Sequence, residues 1–336
     1  MPRTLAKSVN HLAHLYTRKP MAERVDMSGR NVIVTGASPN SLGYETARIL
    51  ASWGATVVAT SRHNVSLMEN SLKDDLRTTG TGGNTLSAHR LDLSDVDSVN
   101  RFATWYRKHH GGNLHALVNN AGIHRNIFNP RRKPPLSRDG FEIHWRTNYL
   151  GAFHLTNVLL PLLKQGGLES GNARVINVAS HLHDRVGNKD LFHESKRYHS
   201  WDAYGRSKLA LIHHSFEIER RFSKPYNLQS VAVHPGSVNT NLTKMKPPQG
   251  KVKMTLYRIN ASLAPLVLLP SNYGAQTIVM CASKQPLQGG AYYYRCTIAE
   301  TTDDSKDETA SKLLWDQTQA WVETLAKPEW SEHEQV

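Results

Sequence analysis

Short apolar, β-branched runs alternate along the chain with longer segments in which apolar positions recur every three or four residues. The runs predict strands at Asn31–Thr35, Thr56–Ser61, Leu86–Leu91, Leu114–Asn119, Arg174–Ala179, Leu228–His234 and Ala291–Arg295. Helical patterns fall between them, near residues 43–53, 66–77, 95–109, 138–163, 202–222, 271–282 and 308–325. Most strands are apolar through their centres, as strands covered on both faces are. A β-α-β series of this kind predicts an α/β fold: a Rossmann-type doubly wound parallel sheet in a three-layer α/β/α arrangement, with right-handed crossovers. Ligands in such sheets bind beyond the carboxyl ends of the strands, so residues that follow a strand carry the functional signal.

After the first strand comes Thr35-Gly36-Ala37-Ser38-Pro39-Asn40-Ser41-Leu42-Gly43, leading directly into a helix. Glycine permits a tight turn and close backbone approach, and the helix N-terminus offers unpaired N–H groups, which together suit a diphosphate. The second strand ends at Thr60-Ser61-Arg62, and no acid lies between Thr56 and Asn64. An acid there would bond a ribose and repel a 2′-phosphate, whereas the fork of Arg62 can pair with one, so NADP(H) is preferred over NAD(H). Asp92 follows the third strand, either accepting from an adenine amino group or capping the next helix. Asn119-Asn120-Ala121-Gly122 follows the fourth, either approaching a cofactor or merely ending a strand.

The reactive groups are Ser180, at the end of the fifth strand, and Tyr204 and Lys208 in Tyr204-Gly205-Arg206-Ser207-Lys208. Tyrosine and lysine four apart share one helix face. A phenol is ordinarily a weak acid, with a pKa of about 10, and a nearby ammonium is expected to favour its ionised form. Ser180 would hold a substrate oxygen while Tyr204 gives or takes its proton.

Composition bounds the remaining possibilities. A chain of 336 residues, 39% hydrophobic and 21% charged, fits one large domain with extensions and excludes a disordered or collagen-like protein. The formal net charge is +13, yet ten of the 28 acids and only three of the 41 Lys and Arg lie from Glu300 onward, so a basic body carries an acidic tail. That field attracts phosphorylated cofactors, anionic lipid or nucleic acid alike. Scattered basic residues without aromatic interleaving or finger spacing argue against nucleic acid. Cys281 and Cys296 are too few for a disulfide framework, which points to a reducing compartment. Residues 1–27 sustain no apolar run of the secretory kind, so the expected location is cytoplasmic. Ala261–Pro270 is about half the length a membrane span needs. It reads first as a buried lobe over a pocket and second, beside Lys251, Lys253 and Arg258, as a peripheral membrane contact. His181, His183, His193 and His199 lack the paired ligands of a metal site, and none is expected.

These motifs together resemble the short-chain dehydrogenase/reductase family, in particular its retinol-dehydrogenase-like branch, over roughly residues 28–325. The resemblance rests on the glycine loop, TSR, LDLSD, NNAG, RTNYLGAFHLT, INVAS, YGRSK, HPGSVNT, YGAQT and GGAYYYRC. It implies a catalytic tetrad of Asn148, Ser180, Tyr204 and Lys208, with Asn148 supporting a water that links Lys208 to solvent. It further implies NADP contacts from Gly36, Ser38, Asn40, Ser41, Leu42 and Gly43 in the loop, and from Arg62, Asp92 and Leu93 beyond the second and third strands. Asn120, Ala121 and Gly122 would join them, as would Tyr204 and Lys208. Pro235, Gly236 and Val238 would shape the nicotinamide site, with Thr240 at the phosphate or carboxamide.

One departure is visible: the gap from Gly36 to Gly43 is a residue longer than the family's usual loop, and the middle glycine is replaced in the neighbourhood of Asn40 or Ser41. The longer loop is like that of enoyl reductases of the same superfamily, but those place a tyrosine seven positions before the lysine, where this chain has Trp201.

The implied organisation is an N-terminal extension over 1–27, an NADP-binding domain over 28–299 and an acidic extension over 300–336. The domain includes an apolar substrate lobe at 239–272. The extension carries a peripheral helix whose Leu313, Leu314, Ala320, Trp321 and Leu325 pack inward. The implied activity interconverts a lipophilic alcohol and its carbonyl counterpart, a retinoid, steroid, aliphatic aldehyde or polyketide. The alternative is a cofactor-binding regulatory scaffold with little catalysis. Related enzymes pair through the helices corresponding to 138–163 and 202–222, so a homo-oligomer is the expected assembly.

Overall fold

A computed structural model describes residues 20–78, 80, 85–125, 133–192, 197–238 and 269–325. Strands β1 (Asn31–Val34), β2 (Thr56–Ser61), β3 (Leu86–Arg90), β4 (Ala116–Asn119), β5 (Ala173–Val178), β6 (Leu228–His234), β7 (Tyr292–Tyr294) and β8 (Thr297–Ile298) form one sheet in the order β3-β2-β1-β4-β5-β6-β7-β8. The first seven are parallel, and β8 alone runs antiparallel at the edge. β1 lies between β2 and β4, so the chain reverses its direction of winding there and opens a crevice at their carboxyl ends.

The unbroken apolar strands reflect burial on both faces. In β1, Val32 and Val34 enter one core cluster and the intervening Ile33 enters another, on the opposite side of the sheet. Helices α1 (Leu42–Ser52), α2 (Val65–Thr78) and α7 (Ser271–Ser283) contribute to the first cluster. Helices α3 (Val96–His110), α4 (Gly151–Ser170) and α6 (Ser200–Tyr226) contribute to the second. Short helices α5 (Asn188–Phe192) and α8 (Asp303–Lys306) and the final helix α9 (Glu308–Glu323) complete the outer layer.

Three sequence expectations need correction. The helix expected over 138–163 starts later and runs on to Ser170: Ser137–Gly140 is a turn, with Gly140 at φ +85°, and a π-helical segment, Trp145–Leu150, precedes α4. The last expected strand stops at Tyr294, because Arg295 and Cys296 both adopt positive φ (53° and 59°) and turn the chain back into β8.

The third correction concerns α9. Leu314 packs inward as expected, but Leu313 is 46% exposed and Ala320 faces solvent, while Trp315, Thr318 and Val322 are buried. The helix phase is set by hydrogen bonds from its neighbours: Tyr149 Oη with Thr318 Oγ1 at 2.7 Å, and His213 Nδ1 with Ser311 Oγ at 2.6 Å. Arg221 adds an ion pair with Asp316 at 3.2 Å. α9 therefore packs against α4 and α6, through Phe153 and Asn157 on the first and His213 on the second. Among the described residues no helix is long and apolar enough to cross a membrane.

Candidate active site

The loop after β1 is closed by groups from the neighbouring strands. Thr35 Oγ1 accepts from the N–H of Asn120 and Ala121 at 3.0 and 2.9 Å, and Asn120 Nδ2 donates to the carbonyls of Thr35 and Gly36 at 2.7 and 3.2 Å. This stitching joins the NNAG segment to the glycine loop. At Gly36, with φ +70°, a Cβ would stand 2.8 Å from Ala121 Cα, so only glycine permits that approach. Asn40 adopts φ +63° where the lengthened loop lacks its middle glycine, a conformation asparagine tolerates better than most residues.

Ser41 caps α1, accepting from Tyr44 N–H at 3.1 Å while donating to Gly36 O at 3.1 Å. Its hydroxyl is thus committed within the loop. Ser38 Oγ lies 2.9 Å from Ser61 Oγ, which ties the loop to the end of β2 immediately before Arg62. Arg62 is half-buried and forms no hydrogen bond or ion pair within the described residues. A glycine turn, a capped helix N-terminus and an uncommitted guanidinium at neighbouring strand ends fit a phosphorylated dinucleotide.

Beyond β3, Asp92 accepts from the N–H and hydroxyl of Ser94 at 2.9 and 2.7 Å. Asp95, through Asp97 N–H, is the cap of α3, so the capping alternative falls to a different residue. Leu93 is buried, and its carbonyl accepts from Arg146 Nη1 at 2.7 Å. Pro235, Gly236 and Val238 follow β6, and Ser237 O accepts from Leu269 N–H at 2.8 Å. Thr240 and most of the expected substrate lobe, 239–268, lie outside the described residues, as does His193.

Ser180, Tyr204, Lys208 and Asn148 converge beyond β5. Ser180 caps a turn of 3-10 helix, His181–Arg185, against which α6 packs. The fit depends on Gly205, where a Cβ would stand 2.5 Å from Leu182 O. Tyr204 and Lys208 lie one turn apart on α6, with Lys208 Nζ 5.5 Å from the Tyr204 ring centroid and donating to Val178 O at 2.7 Å. Asn148 sits in the π-helical segment, a geometry frequent at functional sites. Its Oδ1 accepts from Ile123 N–H at 2.8 Å, and its Nδ2 donates to Ile123 O and Ser207 Oγ, both at 3.0 Å.

Burial governs the ionisation of this cluster. It pushes the Tyr204 phenol well above its ordinary value, opposed only by the Ser180 hydroxyl beside it. It pulls the Lys208 amine down to about 7. In place of the expected acidification of Tyr204 by an ammonium, burial raises the phenol, and desolvation favours the neutral form of each group.

The motifs gave no notice of a second set of residues around the phenol. His124 stacks on Tyr204 with ring centroids 4.3 Å apart and planes at 15°, and meets Trp201 edge-on at 4.7 Å. Burial, with His144 and Lys208 nearby, lowers His124 to about 3, so its ring is neutral. His144 Nδ1 lies 2.6 Å from Glu142 Oε1, and His144 Nε2 accepts from Arg125 N–H at 2.8 Å. Tyr198 Oη donates to Glu142 Oε1 at 3.1 Å. The only advance signal was position, since His124 follows the NNAG turn by two residues.

A family model described as short chain dehydrogenase matches residues 30–250. The chain is 35% identical over 299 residues to retinol dehydrogenase 11 of Homo sapiens, covering 87% of this chain and 85% of that protein. It is 34% identical over 294 residues to the polyprenol dehydrogenase of Mus musculus, covering 85% and 82%. Among solved structures, a Serratia marcescens short-chain dehydrogenase/reductase matches with a TM-score of 0.58 at 21% identity, over 80% of this chain and 96% of that one. That likeness concerns the fold alone. With the glycine loop, the sheet order and the Ser-Tyr-Lys cluster in place, the chain belongs to the short-chain dehydrogenase family, on its retinol-dehydrogenase-like branch.

Proposed function

We propose that the protein is an NADP(H)-dependent oxidoreductase that interconverts a lipophilic alcohol and its carbonyl counterpart. The observation that carries this reading is the convergence of Ser180, Tyr204, Lys208 and Asn148 beyond β5, in the same sheet whose β1 and β2 ends hold the glycine loop and Arg62. NADPH, when bound, supplies the hydride for carbonyl reduction, and NADP+ accepts it in the reverse direction. Gly36 and the N-terminus of α1 would hold its diphosphate, and Arg62 its 2′-phosphate.

Tyr204, held protonated by burial, is in the state that donates to a carbonyl oxygen as that oxygen gains charge. Ser180 provides a second hydroxyl for the same oxygen. Lys208 anchors the inner end of the site to Val178 O, and Asn148 braces the NNAG segment against α6. The names of the relatives, retinol and polyprenol dehydrogenases, support an apolar substrate.

A screen of alcohols and carbonyl compounds, following nicotinamide absorbance with both cofactors, tests the reading. Tyr204→Phe is expected to lower turnover by about 10²–10⁴-fold with NADPH affinity retained. Unchanged turnover in that variant overturns the assignment of Tyr204.

A further inference from the structure

We propose that His124 is a positioning residue for Tyr204: its ring, held over the phenol by the backbone clamps on either side, fixes the orientation from which the tyrosine exchanges its proton. This deepens the alcohol–carbonyl reading and rests on it.

The hold on His124 is two-sided. Ile123 is gripped at both its N–H and its carbonyl by Asn148. Arg125 N–H is gripped by His144 Nε2, and His144 is in turn oriented by Glu142, which also accepts from Tyr198 and from Trp145 N–H. With both neighbours fixed, the side chain between them has little freedom. Its ring lies nearly parallel to Tyr204 (15°) and nearly perpendicular to Trp201 (87°), which sits one helical turn before Tyr204 on α6. The phenol ring is thereby covered on one face, while the Lys208 amine approaches the ring system at 5.5 Å.

Hydrogen bonding at Nε2 does not account for the place of the imidazole. Nε2 is buried with no partner within the described residues, an arrangement that ordinarily weakens a protein. The flat face is what makes contact. A ring that contributes by stacking can be replaced by another ring, and that separates positioning from hydrogen bonding.

The test compares His124→Ala with His124→Phe by steady-state kinetics and by NMR of protein labelled at tyrosine Cζ. The Tyr204 resonance is identified by its loss in Tyr204→Phe. In His124→Ala, kcat is expected to fall by about tenfold with KM nearly unchanged, and the Tyr204 resonance to move downfield as the covering ring is lost. In His124→Phe most of the lost kcat is expected to return, and the resonance to stay upfield. If His124→Phe is as impaired as His124→Ala, the nitrogen matters rather than the stack, and the proposal is overturned. An unmoved Tyr204 resonance in His124→Ala overturns it as well, whether or not any substrate is turned over. Absence of turnover in the unaltered protein would instead count against the proposed function, with the NMR comparison still deciding the stack.

Discussion

Gly205 brings α6 so close to the turn after β5 that a methyl group on it would stand 2.5 Å from Leu182 O. That approach places Tyr204, its neighbour in the chain, beside Ser180, two residues before Leu182. Gly205→Ala is expected to push the turn and helix apart, costing about 1–3 kcal/mol of stability. Turnover should fall further than stability accounts for, because the Ser180–Tyr204 spacing changes. Calorimetry and kinetics on the same preparation check this, and a variant with unaltered kcat would show that the spacing is not held there.

Arg62 has no partner within the described residues, next to a serine tied to the glycine loop. Arg62→Ala is expected to weaken NADPH by about ten- to hundredfold, the range of a lost charge-assisted hydrogen bond, and to leave NADH nearly unaffected. Titration of both cofactors by fluorescence distinguishes the cases. Equal losses for the two would remove Arg62 from the 2′-phosphate.

Several buried histidines make stability depend on pH. Burial lowers His154 and His213 to about 4 and His214 to about 3. In the unfolded chain these groups titrate near their ordinary value of about 6.5. As pH falls from about 6.5 toward 4, the unfolded state takes up protons that the folded state refuses, so stability falls over that window. His214, whose two buried ring nitrogens have no hydrogen-bond partner among the described residues, contributes on the order of 2 kcal/mol of this loss by pH 4.5. Urea unfolding of the unaltered protein and His214→Phe at pH 7 and 4.5 measures it: the variant is expected to show a shallower decline, and parallel declines would refute the attribution.

Trp315 is the principal apolar anchor of α9, packed against Phe153 at 4.8 Å and His214 at 5.7 Å, with the Arg221 guanidinium 5.0 Å from its ring. Trp315→Ala is expected to destabilise the protein by about 3–5 kcal/mol. Replacement of the exposed Leu313 by Ala should change stability by about 0.5 kcal/mol or less. Thermal unfolding of the two variants provides the contrast, and similar losses would mean that the helix is docked in a different phase.

The central strands were legible because they are buried on two sides: the run from Asn31 to Val34 needs no partner to announce itself. The grouping of the candidate site was visible because Tyr204 and Lys208 are local in sequence and Ser180 closely follows a strand. What escaped was set by contacts between distant segments. The phase of α9 is fixed by Tyr149 and His213, which no periodicity within 308–325 contains. The stack of His124 on Tyr204 joins residues eighty positions apart, and the ionisation of Tyr204 depends on burial that sequence spacing does not report. The turn at Arg295 and Cys296 has neither the glycine nor the asparagine that ordinarily marks such a reversal.

The hydrogen bond between His213 and Ser311 spans nearly a hundred residues and fastens α9 to the helix that bears Tyr204. Closing a contact of that span carries a loop-entropy cost that local contacts do not. A ribosome extending this chain must therefore release α9 before α6 can complete its packing, and until then Phe153 and His214 present an unfinished apolar seam to the surroundings. The far side of the helix that carries Tyr204 is thus completed only by a segment synthesised long after it.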